Sequence, residues 1–219
     1  MKYFIIIKEH SERVVGKNFI DIGGLPLWKH LVYELEGESV YIDTDSSAVL
    51  NECASLSWVT AYPRGQKFID YENNNESRFS PVLMMIDNFL DTYVEDDDEI
   101  VITPHVTSPF LKQKTIKNAL KKLNEGYDSV HSVTEHREFS YYKGKPINFI
   151  PNIVQKTQDL EPIVMSNGAF FAFTKKTFKE NNNRMGKRPY FYVLPPIEDI
   201  EIDNNNDLKL AKIVYKEWK

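Results

Sequence analysis

Five consecutive apolar residues, Tyr3-Phe4-Ile5-Ile6-Ile7, give way without a break to a polar stretch, Lys8 to Asn18, that carries Lys8, His10, Arg13 and Lys17. A short apolar run without alternation is the pattern of a central parallel strand covered on both faces. Beyond the polar stretch, Pro26 suits the first turn of a helix, and Leu27, Leu31 and Leu35 with Trp28 and Val32 form a helical stripe. A strand, a polar loop and a helix make the first unit of an open α/β sheet, where ligands bind outside the carboxyl ends of the strands. Cations and backbone N–H groups at that place suit a polyphosphate. A solvated loop with ordinary charges is the alternative. A P-loop is ruled out, because Asn18 follows Gly16-Lys17 and Ser11 stands where the first glycine belongs. No G-x-G-x-x-G follows the strand either, which speaks against an ordinary dinucleotide fold.

The same alternation continues along the chain. Ser39 to Ile42 reads as a second strand, ending in Asp43-Thr44-Asp45-Ser46, with a helix over 47–56 capped by Ser46 or Ser47. Trp58 to Tyr62 is a shorter strand, and Pro63-Arg64-Gly65 breaks it. Residues 64–78 are polar and are expected to form a mobile loop over the sheet. A helix over 79–93 follows. The run Glu95-Asp96-Asp97-Asp98-Glu99 is expected to be a solvated turn rather than a metal site. Ile100-Val101-Ile102 is a buried strand that empties into Thr103 to Phe110. A helix over 112–125 stops at Gly126, and Asp128 to Thr134 is a strand.

From 136 to 165 the helices disappear. Phe139 to Tyr142 and Ile147 to Ile150 read as the arms of a β-hairpin around Lys143-Gly144-Lys145. Such a ribbon needs a cover, and a second subunit is the usual one. A strand at 167–173, a helix at 174–182, a strand at 190–194 and a helix from 206 to the end complete the pattern. The expected fold is α/β and Rossmann-like, a mostly parallel sheet flanked by helices. Residues 1–219 form one domain, with 136–165 as an inserted hairpin used for dimerisation.

Composition narrows the function. A chain of 219 residues suits one such domain, and a net charge of −5 without a basic stripe speaks against nucleic acid as a partner. No run approaches the roughly 18 apolar residues of a membrane span, and the opening run is too short for a signal peptide. Cys53 stands alone and reads as a small buried hydrophobe. His131 and His136 have no second ligand at zinc spacing. The sequon Asn75-Glu76-Ser77 is then expected to be chance, and the protein cytoplasmic.

Four stretches together resemble the cytidylyltransferases that make CMP-sialic acid and related CMP-nonulosonates. Ser11-Glu12-Arg13-Val14-Val15-Gly16-Lys17-Asn18 with Gly23-Gly24-Leu25-Pro26-Leu27 is similar to the family's opening loop and its G-K-P-L segment. Ile42-Asp43-Thr44-Asp45 resembles the S-T-D-D strand end, and Thr107-Ser108-Pro109-Phe110-Leu111 the T-S-P-L loop. Thr157-Gln158-Asp159-Leu160 and Asn167-Gly168-Ala169-Phe170 resemble the R-Q-D-L-P and N-G-A-[FI]-Y elements. Glu201-Ile202-Asp203-Asn204 with Asp207 is similar to the acidic ending I-D-x-x-x-D. The likeness covers nearly the whole chain. The opening departs from the usual A-R-G-G-S-K: Lys8 replaces the phosphate-binding Arg, and Glu9 and His10 replace two glycines. Glu201 stands where many members have Asp.

The resemblance implies transfer of CMP from CTP to the anomeric hydroxyl of a nonulosonic acid, with release of pyrophosphate. It implies CTP and an acidic sugar as partners, Mg2+ as cofactor, and a homodimer. Lys17, Arg13 and Asp203 become the catalytic candidates. Lys8, Ser11, Arg13, Lys17, Asn18, Thr44, Asp45 and Arg64 become the nucleotide-binding candidates. His105, Thr107, Ser108, Gln158 and Asn167 are placed at the sugar, and Asp203 and Glu201 at the metal. Arg137, Lys156 or a dimer-mate cation is placed to meet the sugar carboxylate.

Each residue type also has a plainer role. Thr44 and Asp45 can cap the next helix, and an exposed Arg64 can be merely solvated. His105 is a general base or a hydrogen-bonded structural imidazole. Asp203 and Glu201 can serve a helix N-terminus, and Gln158 and Asn167 can serve turns. Two other functions stay open: another sugar nucleotidyltransferase, acting on a 3-deoxy-octulosonate or a sugar 1-phosphate, and a catalytically silent nucleotide-binding relative.

Overall fold

Alternation along the first strand sets the layers. In β1 (Lys2–Ile7), Tyr3, Ile5 and Ile7 join one hydrophobic cluster and Phe4 another, so successive side chains serve opposite faces of the sheet. The computed structural model describes residues 1–11, 13–74 and 80–217. After β1 come a two-residue ribbon, β2 (Asp21–Ile22) with β3 (Leu25–Pro26), and α1 (Leu27–Glu34). Next are β4 (Val40–Thr44), α2 (Ser47–Cys53), β5 (Val59–Pro63), α3 (Gln66–Asn73) and α4 (Val82–Tyr93). Then follow β6 (Ile100–Pro104), α5 (Gln113–Leu120), β7 (Ser129–His136), β8 (Tyr141–Tyr142) and β9 (Lys145–Pro146). The chain closes with β10 (Ile163–Thr174), α6 (Lys175–Asn181), β11 (Pro189–Val193) and α7 (Asn205–Glu217).

Seven strands form one sheet in the order β11-β7-β10-β6-β1-β4-β5. All neighbours pair in parallel except β10, which runs antiparallel to both β6 and β7. The reason lies in the connections. β6 and β7 are joined through α5, the crossover that parallel strands need, whereas β7 reaches β10 with no α-helix between, and a return of that kind is antiparallel.

On one face α1, α2 and α5 bury Trp28, Leu31, Val32, Val49, Cys53 and Ile116 against Tyr3, Ile5 and Ile42. On the other face α4 and α6 bury Met85, Ile86, Phe89 and Phe178 against Phe4, Val101, Phe171 and Phe173. The rings of Phe4 and Phe89 stack at 4.4 Å. A third cluster, Ile22, Leu27, Phe110, Ile202 and Ala211, ties α7 to the loops above the sheet.

Several expectations need correction. The stretch 64–78 contains α3, because burial of Phe68 against α4 rewards a helix that is otherwise mostly polar. The helix expected from 79 runs over Val82–Tyr93. Pro26 precedes α1 as its cap, and the last turn of the helix expected to 125 is 3-10, over Lys121–Glu125. The hairpin shrinks to two pairs, Tyr141 with Pro146 and Tyr142 with Lys145, around Lys143 (φ 50°) and Gly144 (φ 76°). Past Pro146, Ile147 N–H still donates to the Ser140 carbonyl at 3.0 Å, but Ser140 N–H turns to Asn148 Oδ1, and Asn148 donates to the carbonyls of Glu138 and Glu161. Residues 200–203 belong to no strand, although Ile202 N–H donates to the Thr107 carbonyl at 2.9 Å. The sequon at 75–77 lies outside the described residues.

Candidate active site

The polar stretch after β1 folds back on itself. Gly16 takes a left-handed φ of 63°, and Lys17–Phe19 form a 3-10 turn behind it. Asn18 Nδ2 donates to the Lys8 carbonyl at 2.8 Å, which holds the two ends of the loop together. Lys17, only 8% exposed, donates from Nζ to the Ile202 carbonyl at 2.7 Å and lies 3.6 Å from Asp203 Oδ1. Arg13 Nη2 approaches the same Asp203 oxygen at 2.8 Å. Burial lowers the Lys17 ammonium below the ordinary lysine range, with Asp203 pulling in the opposite direction. The mouth of β1 is therefore joined to the segment leading into α7 by charge and by a main-chain bond.

A cleft of about 370 Å³ opens beside this loop. Lys8, His10, Ser11, Arg13, Lys17 and Asn18 line one side. Thr103 to Thr107, at the end of β6, line another. Phe4, Ile6, Val82 and Ile86 give it an apolar floor, and Arg184 reaches in from beyond α6. Among the described residues that line it there is no Asp or Glu, so its walls are cationic and neutral.

The carboxylates stand just behind. Glu201 Oε1 accepts from the Thr107 hydroxyl at 3.1 Å and lies 3.8 Å from His105 Nδ1. Gly168, in a register shift of β10, makes room for it: with φ 71°, it would place an added Cβ 3.1 Å from Glu201 Oε2. The donor chemistry of Asp203 and Glu201 fits magnesium, which takes one or two carboxylates and completes its octahedron with phosphate oxygens and water. Among the described residues no cluster of three or more His, Cys, Asp or Glu is placed to hold a metal without such help.

Other expected residues lie outside the cleft lining. Arg64, buried, donates to Asp43 Oδ1 at 2.7 Å, to Glu72 Oε2 at 3.0 Å and to the Ile7 carbonyl at 3.2 Å. Burial pushes the Asp43 carboxyl up, against the pull of Arg64. Lys8 Nζ joins this network through Glu72 Oε1 at 2.8 Å. Thr44 Oγ1 accepts from Ser46 N–H, and Asp45 Oδ1 accepts from Glu9 N–H. Ser108 is fully buried. Asn167 spans Thr134 Oγ1 and Ala169 N–H within β10, and exposed Gln158 sits in a 3-10 turn, Thr157–Asp159. Arg137 is held by Glu135 at 2.7 Å and by the Leu160 carbonyl.

Glu72, Phe171 and Arg184 escaped the motifs. The first sits on the unforeseen helix α3; the other two meet only through the fold.

Comparison with known proteins agrees with this arrangement. The model of a family described as cytidylyltransferase matches residues 5–192. N-acylneuraminate cytidylyltransferase B of Danio rerio is 24% identical over 220 residues, covering 95% of this chain and 49% of that protein. The pseudaminic acid cytidylyltransferase of Campylobacter jejuni serotype O:23/36 is 20% identical over 221 residues, covering 94% and 92%. The chain thus spans about half the length of the first of these relatives and nearly all of the second. Among solved structures, a CMP:2-keto-3-deoxy-manno-octonic acid synthetase complexed with CTP superposes with a TM-score of 0.64 at 14% identity, covering 99% of this chain and 98% of that one. A 4-diphosphocytidyl-2C-methyl-D-erythritol synthase from Anaerococcus prevotii gives 0.66 at 11% identity, covering 98% and 96%. The sheet order, the helices on both faces and the match over residues 5–192 place this chain in the cytidylyltransferase family.

Proposed function

We propose that this chain transfers CMP from CTP to the anomeric hydroxyl of a nonulosonic, sialic-type acid, giving a CMP-sugar and pyrophosphate. The observation that carries the proposal is the cleft itself, with Lys8, Arg13 and Lys17 along one wall and His105 and Thr107 along another. The sugar hydroxyl oxygen forms a bond to the α-phosphorus, the α–β bridging bond breaks, and pyrophosphate leaves with the electron pair. Charge grows on the leaving group, so fixed cations do most of the work. Arg13 and Lys17 are paired with Asp203 before nucleotide arrives, and the triphosphate takes them over. Ser11 and Asn18 contribute hydrogen bonds on the same side.

His105 lines the cleft with its Nδ1 3.8 Å from Glu201 Oε1. An imidazole at that place is suited to take the hydroxyl proton. Asp203 and Glu201 would hold a magnesium ion, which when bound supplies neutralising charge to the phosphates.

The nonulosonic class is supported by the relatives, which are named for N-acylneuraminate and pseudaminic acid. A homodimer is supported by the ribbon after β7, where Tyr141, Tyr142, Ile147, Ile150 and Val154 are exposed together. The test is incubation with CTP, magnesium and each of several nonulosonic and octulosonic acids, with mass spectrometry of the product. A CMP-conjugate of a nonulosonic acid is expected. Conjugation of an octulosonic acid alone would move the chain to the neighbouring substrate class.

A further inference from the structure

Arg184 stands in the turn between α6 and β11, after Asn182, whose φ of 49° ends the helix. Its guanidinium carbon lies 3.5 Å from the centre of the Phe171 ring. Nη1 is buried and has no hydrogen-bond partner among the described residues. The same cleft holds a second such atom, the hydroxyl of Thr103. The Phe171 ring under Arg184 belongs to a residue that pairs with Thr103 on one side and with His131 on the other, so the two atoms flank one position of the sheet. Arg13, Arg64 and Arg137 all meet carboxylates within the chain. A guanidinium nitrogen taken out of water and left without a counter-charge is unfavourable. Burial lowers its pKa to about 10, in keeping with that cost.

We propose that Arg184 receives the carboxylate of the sugar acid, in a two-pronged pair assisted by the Thr103 hydroxyl. This rests on the functional reading above. A guanidinium presents parallel N–H donors that match a carboxylate, and the Phe171 face holds its plane. Placement decides between the two anions of the reaction. Lys8, Arg13 and Lys17 serve the triphosphate at the end of β1. Arg184 lies over β10, with β6 between, so two strand spacings, about 10 Å, separate the two positions along the sheet. In a 2-keto sugar acid the carboxylate sits on the anomeric carbon beside the attacking hydroxyl. Holding it also aims the nucleophile and disfavours aldoses, which lack the group. The His131 imidazole packs edge-on against the other side of the same Phe171 ring, with centroids 4.6 Å apart.

The test compares the full chain with Arg184→Met, which keeps bulk on Phe171, and with Arg184→Lys. Calorimetry of the CTP-loaded protein with N-acetylneuraminic, pseudaminic and 3-deoxy-manno-octulosonic acids, each beside its C1 carboxamide, reads the carboxylate directly. Turnover is followed in parallel. Arg184→Met is expected to weaken binding of the acid on the order of tenfold to a hundredfold, with the carboxamide and CTP changed less than about twofold and Arg184→Lys between. Unchanged acid binding in Arg184→Met, equal losses for acid and carboxamide, a loss of CTP affinity of the same size, or no acid bound by the parent would overturn the assignment. Acid binding that depends on Arg184, with no turnover, would instead fail the functional reading alone.

Discussion

Lys17 shows how one residue joins the ends of the chain at the nucleotide wall. It is buried at the mouth of β1, yet it bonds to Ile202 and neighbours Asp203, far along the sequence. Lys17→Met is expected to lower kcat/KM for CTP on the order of a hundredfold, measured by steady-state kinetics at saturating acid. A loss under threefold would remove Lys17 from the phosphate site. His131 carries a different expectation. Buried between Phe171 and Phe191, its imidazole is pulled from 6.5 to about 4. The unfolded chain takes up this proton near pH 6.5 and the folded chain only near 4, so stability is lost as pH falls through that window. At about 1.4 kcal/mol per pH unit the loss approaches roughly 3 kcal/mol at the acid end. His131→Phe is expected to remove most of that share from urea unfolding compared at pH 7 and 4.5; an unchanged difference would contradict it. The cations of the opening loop were legible because their residue types follow an apolar strand directly. Arg184 was not, because stacking on Phe171 is a tertiary contact that no local pattern announces. Arg64 was read as nucleotide-binding, but the chain wraps it in Asp43 and Glu72.

At the scale of elements, β10 performs two tasks. Its regular half buries Phe170 and Phe173 in the core, and its irregular half carries Gly168 beside Glu201. Gly168→Ala would force a side chain into the left-handed region and toward that carboxylate. A stability loss of about 1–2 kcal/mol by thermal unfolding is expected, with a fall in turnover out of proportion to it. A fully active, equally stable variant would show that Glu201 needs no such room. The helix α1 was plain from the spacing of Leu27, Leu31 and Leu35. The helix α3 was not, since only Phe68 anchors it in the core. The hairpin was overdrawn because Ile147 to Ile150 looks like a strand arm, while Asn148 takes the Ser140 N–H that the next rung would need.

At the scale of the molecule, the adjacent strands β1 and β6 bring their ends and loops to one cleft, with α4 beneath it and Arg184 reaching in from beyond α6. Both loops were read from the sequence as strand-end loops. The antiparallel turn of β10 was not foretold, because connection length alone does not say on which side of β7 the chain returns. Beyond the sheet, the apolar ribbon leaves Val154 99% exposed and Tyr142 64% exposed. A paired form is expected in sedimentation, and Tyr142→Glu with Val154→Glu is expected to shift it to single chains. A parent that sediments as a single chain at high concentration would contradict the dimer.

The most direct measurement is pyrophosphate release with magnesium, offering CTP, UTP, ATP and GTP in turn against a panel of nonulosonic and octulosonic acids. Release with CTP and a nonulosonic acid, and near background with the other nucleotides, is the expected result. No release with any pair, from folded protein that still binds CTP, would contradict the account.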